Sequence, residues 1–290
     1  MKKLTISIVN YNSGDYLLKC LESLKSIEKE LDFDVYVVDN ASTDASFSDA
    51  KKKYPEFNFI NNTKNLGYGK AHNQVLKKAN TAYFLTLNPD TYINKGVISF
   101  MVNFMEKNPE VGASTCKIEK LDGSLDYASH RGFPTIKASF YYFFLKDDKY
   151  YHLTYKNMNE VHEVDSIVGA FMMLRRSALE KTGYFDEDFF LYGEDIDLCF
   201  RIKKAGFKVM YVPDVSITHT KGISSGIKKH SSKDSYATDE TKERSLESFY
   251  KSMEIFYKKH LANEHNFFVN QLIYWGIDLK RRLARYSQTV

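Results

Sequence analysis

Residues 85–91 read LTLNPDT. The opening apolar and β-branched residues suit a strand, and the run stops in Asn88-Pro89-Asp90-Thr91, where Pro cannot continue a ladder and Asn and Asp favour a turn. Two readings are open: a plain strand-to-turn junction, or a strand end that delivers the Asp90 carboxylate to a ligand.

Working outward, the same arrangement recurs upstream. LTISIV (4–9) is β-rich and precedes residues 14–31, where Leu17, Leu21, Leu24, Ile27 and Leu31 fall at helical spacing. DVYVVD (34–39), the polar helix DASFSDAKKKY (44–54), FNFIN (57–61), the helix GYGKAHNQVLKKAN (67–80) and AYFLTL (82–87) continue the alternation. Such a pattern predicts an α/β fold with a mostly parallel sheet and flanking crossover helices. Tyr11-Asn12, Asp39–Asp44, Asn62–Gly67 and Asn88–Asp90 then all follow strands, at the edge where loops and helix N-termini converge on ligands.

The second half is less regular. Residues 122–163 are rich in Tyr, Phe, Lys and Asp without a clean period and predict an irregular or hairpin segment over the sheet. VDSIVGAFMMLRRSAL (164–179) reads as a buried strand leading into a helix. The turn TGYFDEDFFLYGED (182–195) leads to a helix from about Asp195 to Ala205, ended by Gly206. KVMYVP (208–213) reads as a last short strand from which SITHTKG (216–222) trails. The predicted organisation is a domain over 1–222, a mobile loop or linker over 223–243, and a C-terminal helical extension over 244–290. The final helix carries Phe268, Leu272, Trp275, Leu279, Leu283 and Tyr286 on one face beside Lys280, Arg281, Arg282 and Arg285. That stripe suits core, an oligomer face such as a homodimer's, or an interfacial helix on anionic lipid.

The bulk composition narrows the function. A formal net charge of +4 over 290 residues carries no nucleic-acid signature. Cys20, Cys116 and Cys199 lack metal-type spacing and read as free buried thiols of a reducing compartment. The N-terminal MKKLTISIVNYN starts like a signal peptide, but its apolar run is short and alternates like a strand. No stretch reaches the ~18 apolar residues of a membrane span, so the expectation is a soluble or surface-bound protein.

A nucleotide-sugar site needs a carboxylate for a pyrimidine N–H, a cation or N–H groups for a diphosphate, and a base for an acceptor hydroxyl. Asp39 can meet the base, Asp90 a metal, and one of Asp186, Asp188, Glu194 and Asp195 can deprotonate. In order along the chain, SIVNYN, VVDNASTD, KNLGYGKAHNQ, LNPDT, VGAFMMLRRSAL and GYFDEDFFLYGEDIDLCFRIKKAGF resemble the motifs of family-2 glycosyltransferases with the GT-A fold, in the flavour of bacterial rhamnosyltransferases of cell-wall or surface polysaccharides. The resemblance covers roughly residues 4–222.

That resemblance implies roles. Asp39 would contact the pyrimidine, with Asn10, Asn12, Asn65, Gly67 and Asn88 as further donor contacts. Asn88-Pro89-Asp90 stands where the family has Asp-x-Asp, so Asp90 would hold Mn²⁺ or Mg²⁺ with one carboxylate fewer than the full motif, and His219 matches a late metal-binding histidine of some relatives. Glu194-Asp195 matches the family's Glu-Asp pair, making Asp195 the catalytic base, with Gly169, Ala170 and Glu194 on the acceptor side. The implied activity is inverting transfer of a sugar from a dTDP- or UDP-sugar, dTDP-rhamnose first, to a glycan or lipid-linked acceptor. The implied location is cytoplasmic, peripheral at the inner face of the membrane.

Single residues also have plain explanations. Asp39 or Asp44 can cap a helix, Asp197 and Arg201 suit an i,i+4 pair, and Gly169-Ala170 can be small only for packing. His72, His130, His152 and His162 read as ordinary core or surface histidines. A non-catalytic nucleotide-sugar-binding scaffold and a nucleotidyltransferase are the rival classes; the second lacks a Gly-rich basic loop near the N-terminus.

Overall fold

The computed structural model describes residues 2–220 and 238–288. Its first half follows the predicted alternation: β1 (Leu4–Asn10), α1 (Asp15–Ser26), β2 (Phe33–Asp39), α2 (Ser46–Lys53), β3 (Asn58–Asn61), α3 (Tyr68–Leu76) and β4 (Tyr83–Leu87). These strands pair in parallel in the spatial order β3-β2-β1-β4. The chain thus winds outward from β1 to β3 and returns on the other side of β1. The reversal opens a crevice between the carboxyl ends of β1 and β4, where Asn10 and Asn88-Pro89-Asp90 stand.

The remaining elements complete a mixed sheet. β5 (Thr91–Tyr92), α4 (Val97–Lys107) and β6 (Val111–Glu119) precede an irregular stretch containing β7 (His130–Arg131), α5 (Ile136–Phe140), a π-type turn (Tyr141–Leu145), α6 (Lys149–His152) and β8 (His162–Glu163). Next come β9 (Ser166–Ile167), β10 (Phe171–Arg175), α7 (Arg176–Thr182), α8 (Glu194–Lys204) and β11 (Lys208–His219). β10 lies antiparallel between β4 and β6, and β11 runs parallel to β6. Val168-Gly169-Ala170 separates β9 from β10, so the single strand expected there is two, paired in different sheets.

Both faces of the sheet are covered. Leu4, Ile6 and Ile8 pack with Leu17, Leu21 and Leu24 of α1 and Met101 of α4. Val38, Phe84 and Leu174 pack on the opposite face with Val75 of α3 and Leu198 and Ile202 of α8. Burial on two faces explains why these strands read as near-continuous apolar runs. The three cysteines are free and buried, as expected.

Three boundaries differ from the sequence reading. α1 ends at Ser26, and Ile27 to Glu30 form turns whose backbone N–H groups return to Leu24, Lys25 and Ile27. The short strand expected at 208–213 is a strand of twelve residues: the register of β11 on β6 slips between Val212 and Ser216, and this bulge absorbs Pro213. SITH therefore does not trail; it pairs with β5, placing His219 opposite Thr91. Helix α9 (Asp239–Phe256) begins inside the stretch read as linker, whose residues up to 237 lie outside the described ones. A π-type turn (Tyr257–Leu261) and α10 (Phe267–Gln288) follow.

Candidate active site

The loops after β1 and β2 are tied by side chains. Asn10 Nδ2 approaches Asp39 Oδ1 at 2.7 Å and Ser46 Oγ at 2.9 Å, while Ser13 Oγ donates to Asn10 Oδ1. Asp39 also accepts from Ser42 Oγ at 2.6 Å and Ser42 N at 2.9 Å. Its carboxylate thus closes a local turn, and Oδ2 retains an acceptor position beyond its bond to Ser42. Asn12 and Ala41 both have positive φ, at 49° and 62°. Such backbone persists where the surroundings over-determine it, and here Asn12 Oδ1 accepts from Thr43 N at 2.7 Å. Asp44 ties this loop to the one after β1, accepting from Ser46 N at 3.2 Å and Gly14 N at 2.9 Å, while the N-cap position of α2 is Ala45.

The third loop closes on the turn before α8. Gly67 has φ +84°, and a Cβ there would stand 2.3 Å from the Phe190 carbonyl oxygen. That oxygen accepts from Tyr68 N at 2.9 Å, Asn65 Oδ1 accepts from Gly67 N at 2.9 Å, and Asn40 Nδ2 donates to Gly67 O at 3.0 Å. Asn65 and Gly67 thereby shape the rim, and Asn40 joins them.

At the end of β4, Asp90 and His219 come together although 129 residues separate them: Asp90 Oδ1 lies 3.1 Å from His219 Nε2. Asn88 Nδ2 stands 3.4 Å from the same nitrogen, and His219 Nδ1 is buried without a partner. Adjacent donor atoms of an octahedral ion at about 2.1 Å stand about 3.0 Å apart, so this pair fits two neighbouring positions around Mn²⁺ or Mg²⁺. Among the described residues no group of three or more His, Cys, Asp or Glu side chains could hold a metal. Oxygens of a bound diphosphate and of water suit further positions around such an ion.

The residues expected on the acceptor side are linked to that strand end. Ala170 O accepts from Asn88 N at 3.1 Å, and Gly169 O accepts from both Tyr68 Oη and Thr86 Oγ1 at 2.8 Å. A Cβ at Gly169 would stand 2.2 Å from Tyr68 Oη, so packing does require glycine there. Burial, with a smaller contribution from the nearby Glu194 and Asp195 charges, holds the Tyr68 hydroxyl well above the usual tyrosine range.

Glu194 and Asp195 open α8 after Tyr192 and Gly193, both at positive φ (69° and 82°). Acids in a first helical turn face the free N–H groups and the positive end of the dipole. Asp195 Oδ1 accepts from Ile196 N at 2.8 Å, and its Oδ2 lies 3.9 Å from Arg131 Nη1. Glu194 Oε2 is buried without a partner. Burial first, and the Asp195 charge second, push the Glu194 carboxyl up to about 8.

The other acids proposed for deprotonation are engaged elsewhere. Asp186 and Asp188 both bind Lys259 of the C-terminal segment. Asp197 forms the expected pair with Arg201, at 2.6 Å, and also meets His260 Nε2 at 2.7 Å. His72 is a core residue, 2.8 Å from Ser7 Oγ, its pKa lowered by burial to about 3. His130 is buried against Tyr211 and His162, and burial lowers it to about 4.

Several contributors escaped the sequence reading. Arg131, Lys259 and His260 are described above; Arg244 of α9 lies over the rings of Tyr11 at 5.2 Å and Phe190 at 5.7 Å. Nothing in the aromatic-rich segment or the C-terminal helices marks these cations locally.

Residues 5–183 match the family model described as Glycosyl transferase family 2. The chain belongs to that family. A second model, N-terminal domain of galactosyltransferase, matches residues 149–224 of this glycosyltransferase, so the two matches together cover all the expected site residues. It is 30% identical over 240 residues to an N-acetylglucosaminyl-diphospho-decaprenol L-rhamnosyltransferase of Mycobacterium tuberculosis, covering 77% of this chain and 78% of that one. Rhamnosyltransferase WbbL of Escherichia coli is 27% identical over 223 residues, covering 74% and 82%. Among solved structures, TarS 1-349 of S. aureus in complex with UDP-GlcNAc superposes with a TM-score of 0.59 at 19% identity, over 97% of this chain and 73% of that one. A mannosyltransferase of Pyrobaculum calidifontis in complex with GDP-Man and Mn²⁺ gives 0.59 at 16% identity, over 91% and 65%. The glycosyltransferase therefore has the GT-A fold expected from its motifs.

Proposed function

We propose that the chain transfers L-rhamnose from dTDP-rhamnose, with inversion, to a glycan or lipid-linked acceptor of cell-wall or surface polysaccharide synthesis. The observation that carries the reaction type is the chain from Asp90–His219 at the end of β4, through the Gly169-Ala170 link to Tyr68, whose hydroxyl lies within electrostatic reach of Glu194 and Asp195. The rhamnose reading is supported by the names of the two relatives aligned over about three quarters of the chain.

In this reading the loops around Asn10, Asn12, Asp39, Asn65 and Gly67 hold the nucleotide, with Asp39 Oδ2 accepting from the pyrimidine N3–H. Asp195 takes the proton of the acceptor hydroxyl as its oxygen bonds to the anomeric carbon, and the nucleoside diphosphate leaves with the electron pair of the broken C–O bond. Arg131, beside Asp195 Oδ2, orients that carboxylate. Glu194, held protonated near neutral pH by burial, donates a hydrogen bond to an acceptor oxygen. Asp90 and His219, with Asn88 beside them, would hold a divalent cation, which would supply positive charge to the departing diphosphate. The nucleotide-sugar donor sets the reaction in the cytoplasm.

A UDP-hexose or UDP-N-acetylhexosamine donor is the second reading. It is favoured by a 25% identity over 213 residues with a poly-beta-1,6-N-acetyl-D-glucosamine synthase of Staphylococcus epidermidis, of which the alignment spans 46%. Thymine differs from uracil by one methyl, so titration calorimetry with dTDP, UDP and GDP, each with and without Mn²⁺, separates the two. Metal-enhanced binding of dTDP is expected. Preference for UDP moves the donor to the second reading, and binding of none of them overturns the catalytic reading in favour of a scaffold.

A further inference from the structure

Helix α10 is turned inside out relative to a helix of a soluble core. Its apolar stripe, Phe268, Leu272, Trp275, Leu279, Leu283 and Tyr286, faces solvent, with Trp275 64% and Phe268 77% exposed. The other face is half-buried, with Ile273, Tyr274 and Ile277, Tyr274 packing on Tyr257 at 5.6 Å, and it reaches α9 through charge: Arg281 pairs with Glu247 at 3.6 Å, and Arg285 with Glu247 at 2.8 Å. An amphipathic helix ordinarily buries the apolar side against its own core.

A second exposed apolar element adjoins it from more than a hundred residues away. Phe140, Phe144 and Leu145, on α5 and its π-type turn, are at least half exposed, Phe144 at 70%. Lys280 of α10 lies over the Phe143 ring at 5.3 Å and the Phe144 ring at 5.8 Å, so the two elements share one face. Lys137, Lys146 and Lys149 flank the exposed segment in sequence and Lys280 lies on it; among the described residues none of them forms an ion pair, and Lys137, Lys149 and Lys280 lie over aromatic rings instead. The acids in that segment are Asp147 and Asp148, and Asp147 caps the backbone of Lys149 at 2.9 Å.

We propose that α10 and residues 136–145 form one surface that seats on an anionic lipid bilayer. Large apolar and aromatic side chains beside lysines that have no carboxylate partner match the acyl boundary and the phosphate headgroups of such a bilayer. No helix among the described residues is long and apolar enough to cross a membrane, so the contact is peripheral.

The surface also leads to the site. Tyr142 packs against Tyr151 at 5.0 Å, and Arg131 lies over the Tyr151 ring at 5.9 Å, beside Asp195. A lipid-linked acceptor held in the bilayer would thus reach Asp195 along residues 140–151. That last step rests on the proposed transferase reading; seating on lipid does not.

Trp275 is the single tryptophan of the chain and reports on the stripe directly. The test is flotation and Trp275 emission with vesicles of phosphatidylglycerol and phosphatidylcholine, against phosphatidylcholine alone. Binding with a blue shift on the anionic vesicles is expected, weakened roughly fivefold for each lysine removed. The double variant Phe144→Ser/Leu145→Ser should lower the partition coefficient at least tenfold. Nucleotide binding by calorimetry, unchanged in that variant, shows that the fold and the donor site are intact. Absence of wild-type binding to anionic vesicles overturns the proposal, as does an unchanged partition coefficient in the double variant. A wild-type dimer that Leu272→Ser dissociates, without vesicle binding, assigns the face to a second copy instead. Transfer to a water-soluble acceptor without vesicle binding leaves the transferase reading standing and removes only the bilayer surface.

Discussion

Replacing Glu194 by Gln tests the electrostatics of the site without depending on any substrate. The Glu194 carboxyl is buried at the head of α8 beside Asp195, with Oε2 unpaired. Its pKa rises from an ordinary 4.5 to about 8 on folding, so the native state binds the proton more tightly than the unfolded chain does. Stability from this group is therefore fully present below about 4.5 and is lost as pH climbs towards about 8. At about 1.36 kcal/mol per pH unit, a shift of that size sets a ceiling of about 5 kcal/mol on the loss. Because Glu194 and Asp195 share the effect, about 2–4 kcal/mol is the expected change in wild-type stability between pH 5 and 8.5. Glu194→Gln removes the titration while keeping the shape. Urea unfolding should show the variant equal to the wild type, or about 1 kcal/mol weaker, at pH 5 and more stable by about 2–4 kcal/mol at pH 8.5. Parallel stability–pH curves for the two proteins would refute the assignment of a proton to Glu194.

Three further outcomes follow from the same geometry. Asp195→Asn keeps the bond from Ile196 N but removes the proposed base, so kcat should fall about 10²–10⁴-fold with the nucleotide Kd unchanged; equal loss of both would remove Asp195 from the chemistry. Gly67→Ala drives a Cβ into the Phe190 carbonyl at positive φ and should destabilise by about 2–4 kcal/mol with weaker nucleotide binding; a change in urea midpoint within error would contradict this. His260→Ala leaves Asp197 on Arg201 alone and should cost about 1–3 kcal/mol by thermal unfolding while calorimetric nucleotide affinity stays within twofold; a large loss of affinity would show that the C-terminal segment acts on the donor site.

The site was legible in part. Asp39, Asp90 and Glu194-Asp195 each stand where a strand ends or a helix begins, and local composition marks such junctions. His219 was placed by resemblance alone, because Pro213 made the last strand look finished; a bulge carries the ladder past it to Asp90. Arg131 carries no local mark in a segment without periodicity.

The alternation in the first half was enough to require a mostly parallel sheet with crossover helices. Two-sided apolar strands alternating with amphipathic helices have few ways to bury their faces, and parallel crossovers put the polar loops at one edge. Contacts across long separations come from the folded chain alone. It brought His219 to Asp90, Arg131 to Asp195 and the C-terminal helices to α8, and it turned the α10 stripe outward beside Phe143 and Phe144. Helical spacing defines a stripe but not the direction it faces; that depends on which neighbour offers Glu247 to Arg281 and Arg285.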